Sequence, residues 1–162
     1  MTESADVAFD PETDAEHAAV VLRIGGGRYA LAMSAVAEVG RPPVLTRVPG
    51  VPSWSAGVAN WRGRILAVLD LRRLLGNESG SAFGGSRLVV ASHEGITLGL
   101  LTDGVDGVIT VPGDLDPPPV TLTDTAAALI AGQVLDAQGP IAVLNVAAVF
   151  RLRDSLPRVR RG

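Results

Sequence analysis

The stretch Gly57–Gly76, GVANWRGRILAVLDLRRLLG, decides the fold. It reads as a strand, a tight turn at Arg62-Gly63, a second strand and a short helix. Within Arg64–Asp70, residues Ile65, Ala67 and Leu69 fall on one face, Leu66 and Val68 on the other. A strand apolar on both faces must be packed on both sides, which predicts a central place in a sheet. Asp70 is positioned to cap the helix that follows, and Gly76 suits the left-handed residue that ends it.

Working outward, the same device returns near the other end of the chain. Leu66–Leu75 aligns without gaps with Ile141–Phe150 at an offset of 75, which matches Asp70 with Asn145 as a second helix cap. The hairpin Val20–Ile24 and Tyr29–Met33 aligns with Arg87–Ala91 and Ile96–Leu100 at an offset of 67. A two-residue insertion then brings Ala35–Val39 onto Gly104–Val108. One β unit used twice predicts a mostly β protein of two pseudo-symmetric five-stranded barrels with short helices, meeting across an apolar seam. The expected boundaries are a first barrel over about 19–76, a polar linker at 77–86 and a second barrel over about 87–145. A closing helix is expected at 146–152, a disordered acidic tail at 1–18 and a basic tail at 153–162.

Composition narrows the chemistry. Hydrophobic residues make up 47% of the 162 positions but aromatics only 4%, so the core must be aliphatic. With no cysteine, disulfides and thiolate metal sites are excluded. A net charge of −3 argues against a nucleic-acid groove. Neither a leader pattern nor an apolar run long enough to span a bilayer is evident, so no signal peptide and no membrane insertion are expected, and the lack of cysteine is compatible with a reducing, cytoplasmic setting.

The catalytic inventory is nearly empty. Gly25-Gly26-Gly27-Arg28-Tyr29-Ala30 follows a strand and fits a dinucleotide-binding turn, which is the alternative reading of the chain as a small dinucleotide- or ligand-binding protein. Against it, Pro42-Pro43 cuts short the helix such a turn requires, and no acid lies about 20 residues further on to hold a ribose. His17 and His93 are far apart in sequence, and the aspartates 103, 106, 114 and 116 lack the spacing of a calcium loop. No catalytic residue, metal or cofactor is predicted.

Val36-x-Glu38-Val39, Thr46-Arg47-Val48-Pro49, Gly57-Val58-x-Asn60-x-Arg62-Gly63-x-Ile65 and Val68-x-Asp70-Leu71-Arg72 together resemble the CheW family of chemotaxis coupling proteins. The likeness continues through Thr102-Asp103-Gly104-Val105 and Gly139-Pro140-Ile141-x-Val143-Leu144. It implies two packed five-stranded barrels and a non-enzymatic adaptor recruited to membrane receptor arrays. Such an adaptor joins the cytoplasmic tips of methyl-accepting chemoreceptors to the regulatory domain of the histidine kinase CheA. Pairing with further CheW-like domains in rings is left open by the resemblance.

By the same resemblance, Val36, Glu38, Gly57, Asn60, Arg62 and Val105 fall at receptor-binding positions. Leu45, Val48 and Trp61 fall at kinase-binding positions, and Gly63, Asp70 and Asn145 serve turns and caps. Glu38 and Arg62 are expected to meet at the barrel end and fix the turn Asn60–Gly63, with solvated charges as the alternative. Val36, Val105 and Trp61 read equally as core residues. Gly57 is expected where a partner backbone approaches.

Overall fold

The computed structural model describes residues 16–75, 86–118 and 122–156, and resolves the repeat into two sheets. Strands β1 (Glu16–Ile24), β2 (Gly27–Ala32), β9 (Gly104–Pro112), β10 (Ile130–Asp136) and β11 (Gly139–Leu144) form the first, ordered β10-β11-β2-β1-β9. Strands β3 (Val36–Gly40), β4 (Leu45–Thr46), β5 (Ser55–Trp61), β6 (Arg64–Asp70), β7 (Arg87–His93) and β8 (Ile96–Thr102) form the second, ordered β3-β7-β8-β6-β5-β4. No edge-to-edge strand pairing closes either sheet among the described residues. A single bridge, Asp116↔Gln133, ties the stretch after β9 back to β10.

The pseudo-twofold is present, but the boundaries at 19–76 and 87–145 are not those of the two sheets. The halves exchange their opening hairpins. Strand β2 pairs in parallel with β11 (Val143↔Ala30), and β8 pairs in parallel with β6 (Val68↔Gly99). A 3-10 corner at Met33–Ala35 sends the chain from the first sheet into the second. Hydrophobic alternation states which face a strand buries, not which neighbour it takes. The hairpin offset is also corrected. Val36↔Ala91 in one sheet answers Val105↔Leu22 in the other, an offset of 69 on both strands with no insertion. Aligning at 67 slips the hairpin by two residues, which leaves every side chain on its own face.

Ordered strand begins at Glu16 rather than 19, because β1 extends along β9 as far as Glu16↔Pro112. Residues 1–15, Gly76, the 77–85 part of the linker and 157–162 lie outside the described residues.

Three apolar clusters follow from this topology. Leu66 and Val68 on one face of β6 join Ala59, Leu88, Val90 and Leu101 inside the second sheet. Ala19, Ala30, Val111, Ile141 and Val143 fill the first. Leu69, on the opposite face of β6, enters a large central cluster with Leu22, Leu31, Leu98 and Leu100 from both sheets, so the seam is the main core. Strand β6 is central as expected, except that Ile65 at its start is 52% exposed. Helices α1 (Leu71–Leu74) and α3 (Val146–Arg151) seal this core, and α2 (Asp124–Leu129) adds Ala126 and Leu129. Asp70 accepts from the Arg72 amide at 3.0 Å, and Asn145 Oδ1 accepts from the Ala148 amide at 3.0 Å, so both repeats cap their helix as the sequence predicts.

Candidate functional site

The β5–β6 turn is the best-defined feature of the second sheet. Arg62 and Gly63 have φ of 52° and 84°, both left-handed, the requirement of a two-residue hairpin whose twist suits its strands. Asn60 Oδ1 accepts from the Gly63 amide at 2.9 Å and fixes the turn. Arg62 Nε donates to Glu38 Oε1 at 2.8 Å. Glu38 lies on edge strand β3, with β7, β8 and β6 intervening before β5, so the sheet curls until its β3 edge reaches the turn. Trp61 reinforces the approach. Its ring lies where a side chain on Gly40 would be, 2.7 Å from the position of a Cβ. Side chains rather than strand pairing therefore bridge this open flank.

Glu38 and Arg62 do meet, but in solvent. Their side chains are 37% and 69% exposed, so the pair contributes about 0.2–1 kcal/mol. The Arg62 guanidinium also lies 5.3 Å from the Trp61 ring centroid, a cation–π contact. Trp61 is half-buried against the second-sheet cluster, and its Nε1 is buried with no hydrogen-bond partner among the described residues.

Leu45 and Val48 lie on and just after β4, both half-buried. Gly57 sits beside them, and the expectation attached to it needs correcting. The backbone approaching Gly57 belongs to this chain: a Cβ there would collide with the Thr46 carbonyl, and φ is +113°. A bulge between Ser55 and Gly57 creates that close approach. Val36 and Val105 occupy equivalent positions under the pseudo-twofold, and each packs half-buried on the central cluster. The structure thus gathers Glu38, Asn60, Trp61, Arg62 and Gly63 at one turn, and Leu45, Val48 and Gly57 along one edge. Val105 sits apart from both groups, on an edge strand of the other sheet.

Sequence reasoning missed a charged clamp across the seam. Arg72, 9% exposed, donates to Asp70 at 3.3 and 3.4 Å and to Asp103 at 3.4 Å. The other oxygen of Asp103 accepts from the Gly25 amide at 2.6 Å, which ties the β1–β2 turn into the same network. That contact also disposes of the dinucleotide turn. Gly25 and Gly26, at φ of 58° and 89°, form a hairpin, and a carboxylate already occupies the amide a phosphate would need. The matching positions of the other repeat, Asn145 and Ala147, carry no charge, so the clamp holds one end of the seam only.

A second pair ties β2 to the β10–β11 turn. Arg28 donates to both Asp136 oxygens at 2.9 and 2.6 Å and to the Gly139 carbonyl at 3.0 Å. The Arg28 hydrogen bonds, then the Gln138 amide, lower the Asp136 pKa to about 2, and Asp136 raises that of Arg28.

This geometry has clear relatives. The family model for the CheW-like domain matches residues 18–154. The chain belongs to the CheW-like family. Protein FrzA of Myxococcus xanthus is 32% identical over 142 residues, covering 87% of this chain and 88% of that protein. Protein PilI of Pseudomonas aeruginosa is 39% identical over 92 residues, 57% of this chain. Chemotaxis protein CheW of Bacillus subtilis is 32% identical over 92 residues, again 57% of this chain. The chain spans only 52% of PilI and 59% of the Bacillus protein. Among solved structures, the scaffolding protein TtCheW of Thermoanaerobacter tengcongensis superposes with a TM-score of 0.70 at 26% identity, covering 79% of this chain and 88% of that one. CheW-like proteins are coupling and scaffold proteins, and a chemotaxis-type adaptor is the class to which this fold and these relatives point. No helix of the described residues is long and apolar enough to cross a membrane.

Proposed function

We propose that this chain is a non-catalytic coupler that binds chemoreceptor hairpin tips and the regulatory domain of the kinase CheA, and is thereby recruited to membrane receptor arrays. Kinase contact is assigned to Leu45, Val48 and Trp61, and receptor contact to Val36, Glu38, Asn60, Arg62 and Val105. Gly57 serves receptor contact indirectly, by letting β4 lie close against β5. The observation that carries this reading is the curled flank of the second sheet. There an exposed ion pair, a tight turn and a short edge strand present side chains that the fold itself does not consume. CheW-like domains as further partners, in rings, fit the same edges.

The test is co-purification of the full chain with a CheA regulatory domain and a receptor hairpin fragment, together and separately. Capture of both partners in one complex is expected. Arg62→Glu should weaken the receptor arm and Leu45→Asp the kinase arm. A chain that captures neither partner, or that releases heat on titration with NAD or ATP, refutes the proposal.

A further inference from the structure

The two sheets of this chain carry opposite charge. Residues 36–75 and 86–102, which build the second sheet, hold seven arginines against three carboxylates. Residues 16–32, 104–118 and 122–144, which build the first, hold two arginines against six carboxylates. The contrast is sharpest at two edges related by the pseudo-twofold. Thr46 of β4 pairs with Val58, and Asp116 pairs with Gln133, which lies 75 residues beyond Val58. Asp116 therefore takes the place of Thr46, and Asp114 that of Val44.

On the second sheet, Arg41 and Arg47 flank this edge, both exposed and neither in an ion pair among the described residues. Between them Val44 is 87% exposed, the most exposed large hydrophobic residue described. Among the described residues strand β4 pairs only with β5, so its other side has no strand neighbour. A cleft of about 450 Å³ is lined by Arg41, Pro42, Leu45 and Ser86. A second, of about 350 Å³, is lined by Arg47, Val48 and Pro49. The Ser86 Oγ is buried without a hydrogen-bond partner among the described residues.

We propose that the β4 edge is a basic docking edge which selects a protein strand or edge carrying carboxylates beside aliphatic side chains. Arg41 and Arg47 receive the carboxylates, and Val44, Leu45 and Val48 the aliphatic groups. The inference rests on the kinase-contact reading above and names the chemistry that partner must bring. A nucleic acid fits less well. The apolar residues between the arginines are aliphatic and offer no face for base stacking, and Trp61 is packed on Gly40.

The experiment titrates the full chain with the kinase regulatory domain while salt rises from about 50 to about 300 mM, where exposed charges become screened. Affinity should fall about tenfold across that range, and Arg41→Glu/Arg47→Glu should lower it about tenfold at low salt. Receptor-hairpin binding should stay within about twofold, since both arginines lie outside the residues assigned to it. If Leu45→Asp abolishes kinase binding while salt and charge reversal leave it unchanged, the kinase reading stands and this inference falls. If the wild-type chain does not bind the kinase domain, the kinase reading falls. The edge is then judged by NMR titration with a glutamate- and leucine-containing peptide. Shifts confined to residues 41–48 uphold the acidic-partner chemistry, and their absence ends it. Stronger shifts with a single-stranded oligonucleotide, or self-association abolished by Asp114→Arg/Asp116→Arg, would overturn it in favour of those occupants.

Discussion

Replacing Arg72 by methionine tests the clamp that spans the seam. The side chains of Arg72, Asp70 and Asp103 are 11%, 10% and 18% exposed, so water screens them little. Removing one partner of a buried ion pair costs about 3–5 kcal/mol. Two features of this site reduce that figure. The guanidinium contacts, at 3.3 to 3.4 Å, are long for charge-assisted bonds. Each carboxylate also keeps a backbone donor, the Arg72 amide for Asp70 and the Gly25 amide for Asp103. The expected loss is therefore about 2–3 kcal/mol, a fall of about 4–12 °C in Tm for a chain of this size. Urea denaturation followed by tryptophan fluorescence measures it, and Arg72→Lys should recover part of the loss by restoring a charge without the planar fork. A double-mutant cycle with Asp103→Asn should give a coupling above about 0.5 kcal/mol. Loss of less than about 0.5 kcal/mol in Arg72→Met, with additive single variants, would show that Arg72 is solvated in practice and that the reasoning fails.

Three further outcomes are expected. Arg62→Ala should cost no more than about 1 kcal/mol by urea denaturation, because its pair with Glu38 is exposed; a loss of several kcal/mol would mean that the turn is buried in solution. Gly57→Ala should destabilise by about 2–4 kcal/mol, combining left-handed strain with collision against Thr46, and should speed amide exchange in β4 and β5. Unchanged stability in Gly57→Ala would show that β4 moves aside freely. The Asp136 carboxylate, held at about 2 in the fold, is stabilising above the pH range where it titrates when unfolded. That contribution is lost as pH falls through about 2, so Asp136→Asn should flatten the stability profile between about pH 4 and about pH 2. Identical acid limbs in the two proteins would count against the Arg28 contact.

What the sequence disclosed follows from what periodicity encodes. Alternation in β6 placed Leu66 and Val68 on one buried face and Leu69 on another, and polar residues at the ends of β6 and β11 marked both helix caps. These are local facts, carried by neighbouring residues. Exchange of the hairpins is not local. Val143 lies beside Ala30 because a corner at Met33–Ala35 turns the chain, and nothing in the alternation of β2 names β11 as its neighbour. Gly57 was recognised as a close approach, but a lone glycine does not say whose backbone comes near. Arg72 and Asp103, thirty-one positions apart, meet only after the strands are arranged.

The charge division is likewise not local. Counting by sequence half does not reveal it, since residues 1–81 hold eight arginines against nine carboxylates and residues 82–162 hold six against eight. Its meaning depended on topology. Only when Asp116 is seen to stand where Thr46 stands do Arg41 and Arg47 become one member of an oppositely charged pair of edges. A repeat that preserved its apolar seam while reversing the charge of its edges has kept what folding requires at the seam. At the rim, where solvent leaves the choice open, it has made the two ends chemically distinct. Two identical ends would accept one partner twice. On the proposed function, two ends of opposite charge would let one small scaffold hold unlike partners in a fixed order.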